Sequence, residues 1–243
     1  MALAPNTLVL QRDRVRLLIQ EPTAQYWTNA VLDLYINEAQ FDIAVGSVPG
    51  TAAGMEEPIL GTEATTASVA AQEFYSLPPN FHAIRIVRVR QTSTDTYTEI
   101  PQIDIEYARA HSGGAAIGDW DVPKPQAWYL WGESGTYQIG MFPAFDSANG
   151  SIYVSYWRRP TEMTSDSATL QIPLELLVAN TYLAAWKAMF ERGHYTEADK
   201  LLQTFDYEYK AKLSFVRRRL GINTERAISL GSIGDTDTDR VLY

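Results

Sequence analysis

The chain has 243 residues, 46% of them hydrophobic and 20% charged, with a formal net charge of -9 and no cysteine. Such a composition is too apolar for a disordered chain and suits one large domain or a core domain with an insertion. It excludes disulfides and cysteine-ligated zinc, the acidic balance argues against tight general nucleic-acid binding, and no apolar run approaches the roughly 20 residues of a membrane span.

Met1–Arg14 lacks a basic start followed by an apolar stretch, so no secretion signal is expected. A first helix is predicted from about Thr7 to Gln20, with Leu8, Val15 and Leu18 as its apolar positions and Pro22 as its break. A second starts after Thr28 as N-cap and carries Val31, Leu34, Tyr35, Ala39 and Ile43 on one face. Gly46 and Pro49 close it, and Gly46–Glu57 reads as a flexible loop.

From about Gln72 to Arg159 the period changes to two. Tyr137, Ile139 and Met141 alternate with polar or small residues, as do Ile152, Val154 and Tyr156. Ile84–Arg90 alternates but slips phase between Ile86 and Val87, the mark of a bulge or of a strand buried on both faces. Ile103–His111 reads as a short helix, Pro123–Trp131 as a loop leading into a strand, and Asp146–Gly150 as a hairpin turn.

The third block is helical again. Pro173 is expected as a first helical residue, followed by Leu174, Val178, Tyr182, Ala185 and Met189 on one face and a stop at Gly193. Thr196 with Asp199 resembles a capping box. Leu202, Phe205, Tyr209, Leu213, Val216 and Leu220 then form a seam, flanked by the i,i+4 pairs Asp206–Lys210 and Glu208–Lys212. That helix should run to Gly221, roughly 35–40 Å. Ile222–Tyr243 shows no period and reads as an extended tail, reaching roughly 70 Å if fully stretched. Helices, strands, then helices imply an α+β fold: a helical bundle from the N- and C-terminal segments with an inserted, mainly antiparallel β domain. The expected divisions are 1–57, 58–165, 166–221 and the tail 222–243.

Reactive constellations are not found. Gly132-Glu133-Ser134-Gly135 falls one residue short of a nucleophile elbow and reads as a tight turn. Asp235, Asp237 and Asp239 imitate the opening of a calcium loop, but Arg240 stands where the glycine is required. His82, His111 and His194 lie too far apart in sequence to form a metal motif. No catalytic residue, metal or cofactor is expected. Arg217, Arg218 and Arg219 are the one basic cluster; the six basic and four acidic residues of Thr196–Leu220 make that segment locally +2. It reads either as a solvated last turn favoured by the helix dipole or as a charged docking site. Trp120, Trp128, Tyr129, Trp131 and Trp157 belong to a Trp/Tyr-rich stretch suited to a β core or to a subunit or tail interface.

Four stretches then carry a resemblance. They are Trp27-Thr28-Asn29 through Tyr35-Ile36-Asn37-Glu38-Ala39; Phe74-Tyr75-Ser76-Leu77-Pro78 with Ile84–Arg90; Pro125-Gln126-Ala127-Trp128-Tyr129 with Ile139-Gly140-Met141-Phe142-Pro143-Ala144; and Tyr156-Trp157-Arg158-Arg159-Pro160 leading through Asp166 and Ile172-Pro173. In that order they resemble the head-to-tail adaptor, or neck connector, proteins of tailed bacteriophages.

The resemblance implies a virion structural protein, assembled in the host bacterial cytoplasm, rather than an enzyme. It implies a ring of identical copies, usually twelve, docked on the portal protein around the channel through which double-stranded DNA passes without sequence-specific contact. Tail nozzle or tube proteins would bind the inserted β domain, and no membrane is involved. On this reading the portal contact comprises Arg217, Arg218, Arg219 and the tail anchors Ile228, Leu230, Ile233, Val241, Leu242 and Tyr243. The alternatives are another virion part, such as a tail tube, nozzle or head-decorating protein, and a glycan-binding or glycoside-active protein.

Overall fold

The computed structural model describes residues 6–49, 58–112, 124–132 and 136–219. They fall into two compact units: a helical one from residues up to Ile59 and from Glu162 onward, and a β one over Leu60–Thr161. Helices and antiparallel sheets make it an α+β chain.

The helical unit contains α1 (Leu8–Leu18), α2 (Asn29–Val45), α4 (Leu177–Glu191) and α5 (Tyr195–Arg219). Local signals set the ends of α2. Thr28 accepts the N–H of Val31 at its start, and Gly46 adopts φ +74° at its end, a left-handed conformation suited to glycine. Helix α4 packs against α1, α2 and α5. Ala179, Ala184, Ala185 and Ala188 are buried on it beside Leu183, so burial extends nearly all round, as a central helix requires.

That central position corrects the expected faces. Val178 on α4 and Leu174 just before it are exposed; on α2, Leu34 is exposed while Leu32 and Ile36 are fully buried. A helix enclosed on several sides has no single apolar stripe for periodicity to find. The helix starts differ too. Pro173 precedes a single 3-10 turn, Leu174–Leu176, and α4 begins only at Leu177. Helix α5 begins at Tyr195, with Ala198 donating to the His194 carbonyl at 2.9 Å, so Thr196 lies inside the first turn instead of capping it.

The α5 seam does form. Phe205, Tyr209, Leu213 and Val216 are buried, and the Asp206–Lys210 and Glu208–Lys212 pairs close at 2.7 and 2.5 Å. Leu220 and Gly221 lie outside the described residues. Asn180, fully buried on α4, has no hydrogen-bond partner among the described residues for either side-chain polar atom. Desolvating an unpaired amide costs about 1–3 kcal/mol. Asn180→Leu is therefore expected to raise the urea midpoint, by about 1 kcal/mol of stability, and a lower midpoint would contradict that reading.

The β unit has two antiparallel sheets, ordered β1-β7-β3-β4 and β2-β6-β5. The first comprises β1 (Gly61–Ala67), β7 (Ser151–Arg158), β3 (Phe81–Arg90) and β4 (Thr98–Glu99); the second comprises β2 (Phe74–Ser76), β6 (Gln138–Phe142) and β5 (Ala127–Trp131). One apolar core draws on both: Val87, Val89, Ile152, Val154 and Tyr156 from the four-stranded sheet, and Tyr75, Trp128, Ile139 and Met141 from the three-stranded one. Period-two alternation therefore points one face of each sheet at the other.

Helix α3 (Ile105–Ser112) packs through Ala108 on Tyr129 and Phe142, whose side chains leave the opposite face of the three-stranded sheet. There the Tyr129 ring lies across Gly140, where a Cβ would come within 2.3 Å of it, and the Tyr129 hydroxyl donates to Glu73. The glycine keeps that ring seated.

Two strand expectations need correction. The register shift in β3 falls between Ile84 and Ile86, with a second between Phe81 and Ala83, one step earlier than the alternation implied. Asp146–Gly150 is not a hairpin turn. It joins β6 to β7, which belong to different sheets and do not pair; the segment instead carries the chain from one sheet to the other.

Candidate docking surfaces

The residues of the first resemblance stretch tie the helical unit together. Arg16 donates to the Trp27 carbonyl and to Asn29, both at 2.8 Å. Glu21 accepts three backbone N–H groups, from Gln25, Tyr26 and Trp27, at 2.7, 2.6 and 3.0 Å. Burial opposes its charge most strongly, but those three donors and Arg16 together hold its carboxyl below the ordinary glutamate range.

Asn37 exchanges hydrogen bonds with the Met163 backbone, at 3.1 and 2.8 Å. Lys187 on α4 reaches Glu38 at 3.0 Å and Asp42 at 2.9 Å. Burial works against the Lys187 ammonium, yet the two carboxylates outweigh it and hold its pKa above the ordinary lysine value. These polar residues therefore orient the helices that present the surfaces described next.

The basic cluster sits on the last turn of α5. Arg218 and Arg219 are exposed and Arg217 is half-buried; Arg219 also pairs with Glu175 at 2.5 Å. That ion pair brings the end of α5 beside the 3-10 turn, where Leu174 is exposed, and Phe215, one turn before Arg219, is exposed as well. Arginine and large apolar groups together make a typical protein-docking composition. The tail anchors Ile228, Leu230, Ile233, Val241, Leu242 and Tyr243 lie outside the described residues.

A second surface, which the sequence reading missed, gathers at the other end of α5. Trp186 and Phe190 have ring centroids 5.5 Å apart, and Phe190 and Tyr195 are 5.3 Å apart. The Arg192 guanidinium lies 4.5 Å from the centre of the Tyr26 ring. Phe190, Tyr195 and Tyr26 are all at least half exposed. Aromatic residues flanking Gly193 were the available signal, but only folding brings Tyr26 alongside.

Most of the expected aromatic interface is internal. Trp128, Tyr129 and Trp157 are buried, Trp128 in the inter-sheet core, Tyr129 beneath α3 and Trp157 on the other face of β7 with Arg85 over its ring. Such burial within one copy favours the core alternative for these three rings over the interface one. Trp131, 39% exposed at the end of β5, still presents surface. Trp120 lies outside the described residues.

Among the described residues no three His, Cys, Asp or Glu side chains converge as metal ligands, and no helix is long and apolar enough to cross a membrane. Exposed aromatic and basic patches on a polar-tied helical scaffold have the composition of surfaces that dock other proteins. The model of the SU10 adaptor protein family matches residues 6–227. The chain belongs to that family and is a bacteriophage adaptor, a structural protein. No curated protein matches it significantly.

Proposed function

We propose that this chain is the neck adaptor of a tailed phage: identical copies form a ring, twelve by the family resemblance, that docks on the portal and receives tail nozzle or tube proteins on its other side. The observation that carries the reading is the presence of two chemically different docking patches at opposite ends of α5. That helix has 25 residues and so separates them by about 36 Å. One patch is mainly basic, Arg217–Arg219 beside Leu174 and Phe215; the other is mainly aromatic, Tyr26, Phe190 and Tyr195 with the single Arg192. Two patches that far apart on one helix suit two different partners.

The basic patch, continued by Ile222–Tyr243, forms the portal contact in this proposal. The aromatic patch and Trp131 serve the tail side or a neighbouring copy. Double-stranded DNA passes through the ring without sequence-specific contact, and the net charge of -9 on each copy keeps its phosphates from adhering.

Deleting Ile222–Tyr243 is expected to leave a folded protein that no longer enters portal–adaptor complexes, read by co-sedimentation with purified portal. Arg218→Glu should weaken the same complex without altering thermal stability, because the side chain is solvent-exposed. Full incorporation of the truncated chain would refute the assignment of the portal contact.

A further inference from the structure

In the β unit, no strand among the described residues pairs with the side of β1 that faces away from β7, which leaves a sheet edge. The neighbouring contacts fix which of its backbone groups point where. Arg158 donates to the Leu60 carbonyl at 2.9 Å and Ser68 donates to the Gly150 carbonyl at 3.1 Å, marking both ends of the β1–β7 ladder as hydrogen-bonded pairs. The register between them is unbroken, with Thr62 opposite Tyr156, Ala64 opposite Val154 and Thr66 opposite Ile152. Antiparallel pairs alternate, so the even-numbered residues bond β7, while Gly61, Glu63, Thr65 and Ala67 point their N–H and C=O groups outward. All four are exposed.

Natural sheets blunt such edges with lysine, proline, bulges or very short strands. Among the described residues the other edges are protected in these ways. Strand β4 has two residues and is followed by Pro101; β2 has three. The free side of β5 is occupied, since Trp128 donates to the Pro101 carbonyl and the Ile103 N–H donates to that of Trp128. Strand β1 has seven residues, no proline, no lysine and no register break, and its one charged side chain, Glu63, is engaged by the Tyr153 hydroxyl of β7. Its unguarded edge is a template for one more strand.

We infer that β1 binds an extended segment of another phage structural protein by β-strand addition, and that this segment is neutral or basic. Charge identifies the occupant: Glu63 is the only charged side chain on the strand, and the chain as a whole carries -9. Two copies paired edge to edge through β1 would form a closed two-fold pair, which uses up the edge and cannot continue around a ring, whereas a connector needs an open link to a different protein. Outward main-chain groups supply the affinity, and the small side chains of Gly61, Thr65 and Ala67 leave room for the incoming residues. The inference rests on the chain's place among other virion proteins, not on portal docking.

Proline separates the two sides of the strand. At Thr65 it removes an outward donor and leaves the β7 ladder intact; at Ala64 it removes a donor from that ladder. Thr65→Pro should fold with an unchanged melting temperature but enter virions at least tenfold less often than the wild type, while Thr65→Val should enter normally. Incorporation of Thr65→Pro at the wild-type level would overturn the proposal. Should that variant misfold, hydrogen exchange on the wild-type chain decides. The Glu63, Thr65 and Ala67 amides should exchange quickly in the free protein and at least a hundredfold more slowly in purified virions; equal rates would sink the idea. A photo-reactive residue at Ala67 should cross-link in virions to a different protein, and cross-links only to a second copy would refute the stated occupant. A failure of portal binding in the truncated chain leaves all these readouts unchanged.

Discussion

Trp128→Ala is expected to destabilise the β unit by about 3–5 kcal/mol. The Trp128 side chain lies between the two sheets, in one cluster with Tyr75, Val87, Met141 and Ile152, and is only 6% exposed. Removing it leaves a cavity that neither sheet can close without breaking its own ladder. Trp131, three residues along the same strand and 39% exposed, provides the control: Trp131→Ala should cost much less, about 1 kcal/mol. Site-resolved amide exchange distinguishes the cases. In Trp128→Ala, amides of β3, β6 and β7 should lose protection together while those of α4 keep theirs. Equal loss in α4 would mean that the two units unfold as one block.

Arg12→Ala should cost the helical unit about 3 kcal/mol, the low end expected for breaking a buried ion pair. The Arg12 side chain is 8% exposed, and its Nε and Nη2 donate to both carboxylate oxygens of Asp33 at 2.8 Å. Nη2 also donates to Asp166 at 2.9 Å. One guanidinium thus joins α1, α2 and the segment leading to α4. Asp166 is largely solvated, so most of the loss falls on Asp33, which is left partly buried without its partner. Replacing both members, Arg12→Met with Asp33→Leu, should recover at least 1 kcal/mol relative to the sum of the single changes in urea denaturation. Additive losses would show that the two side chains do not act as a pair.

Arg12 also shows where sequence reading stops. With Gln11 and Arg16 it is buried on α1, on the same face as Leu8 and Val15, although residue type alone would assign all three to solvent. Periodicity finds helix faces that meet oil-like surfaces; it cannot find faces that meet complementary polar groups far away in sequence, such as Asp166 or Thr181, which donates to Gln11 at 2.7 Å. The docking patches were legible in part for the same reason. Arg217–Arg219 is contiguous and could be read directly, whereas the aromatic patch needs Tyr26 beside Arg192 across 166 positions of chain. Trp128 and Trp131 look alike in sequence, and only their placement on opposite sides of the core boundary separates an internal ring from a presented one.

What the sequence determined by itself was local. The Thr28 cap, the Gly46 stop, the α5 seam with its i,i+4 ion pairs and the alternation of β6 and β7 each depend on atoms within a few residues, so residue type and spacing suffice to set them. What only the tertiary structure decided was long-range: the sheet change at Asp146–Gly150, the enclosure of α4, the buried polar residues of α1 and the sheet edge at β1. Those depend on which distant surface arrives to bury a side chain or pair a backbone group, and burial is a property of the assembled neighbours, which no short window of sequence contains.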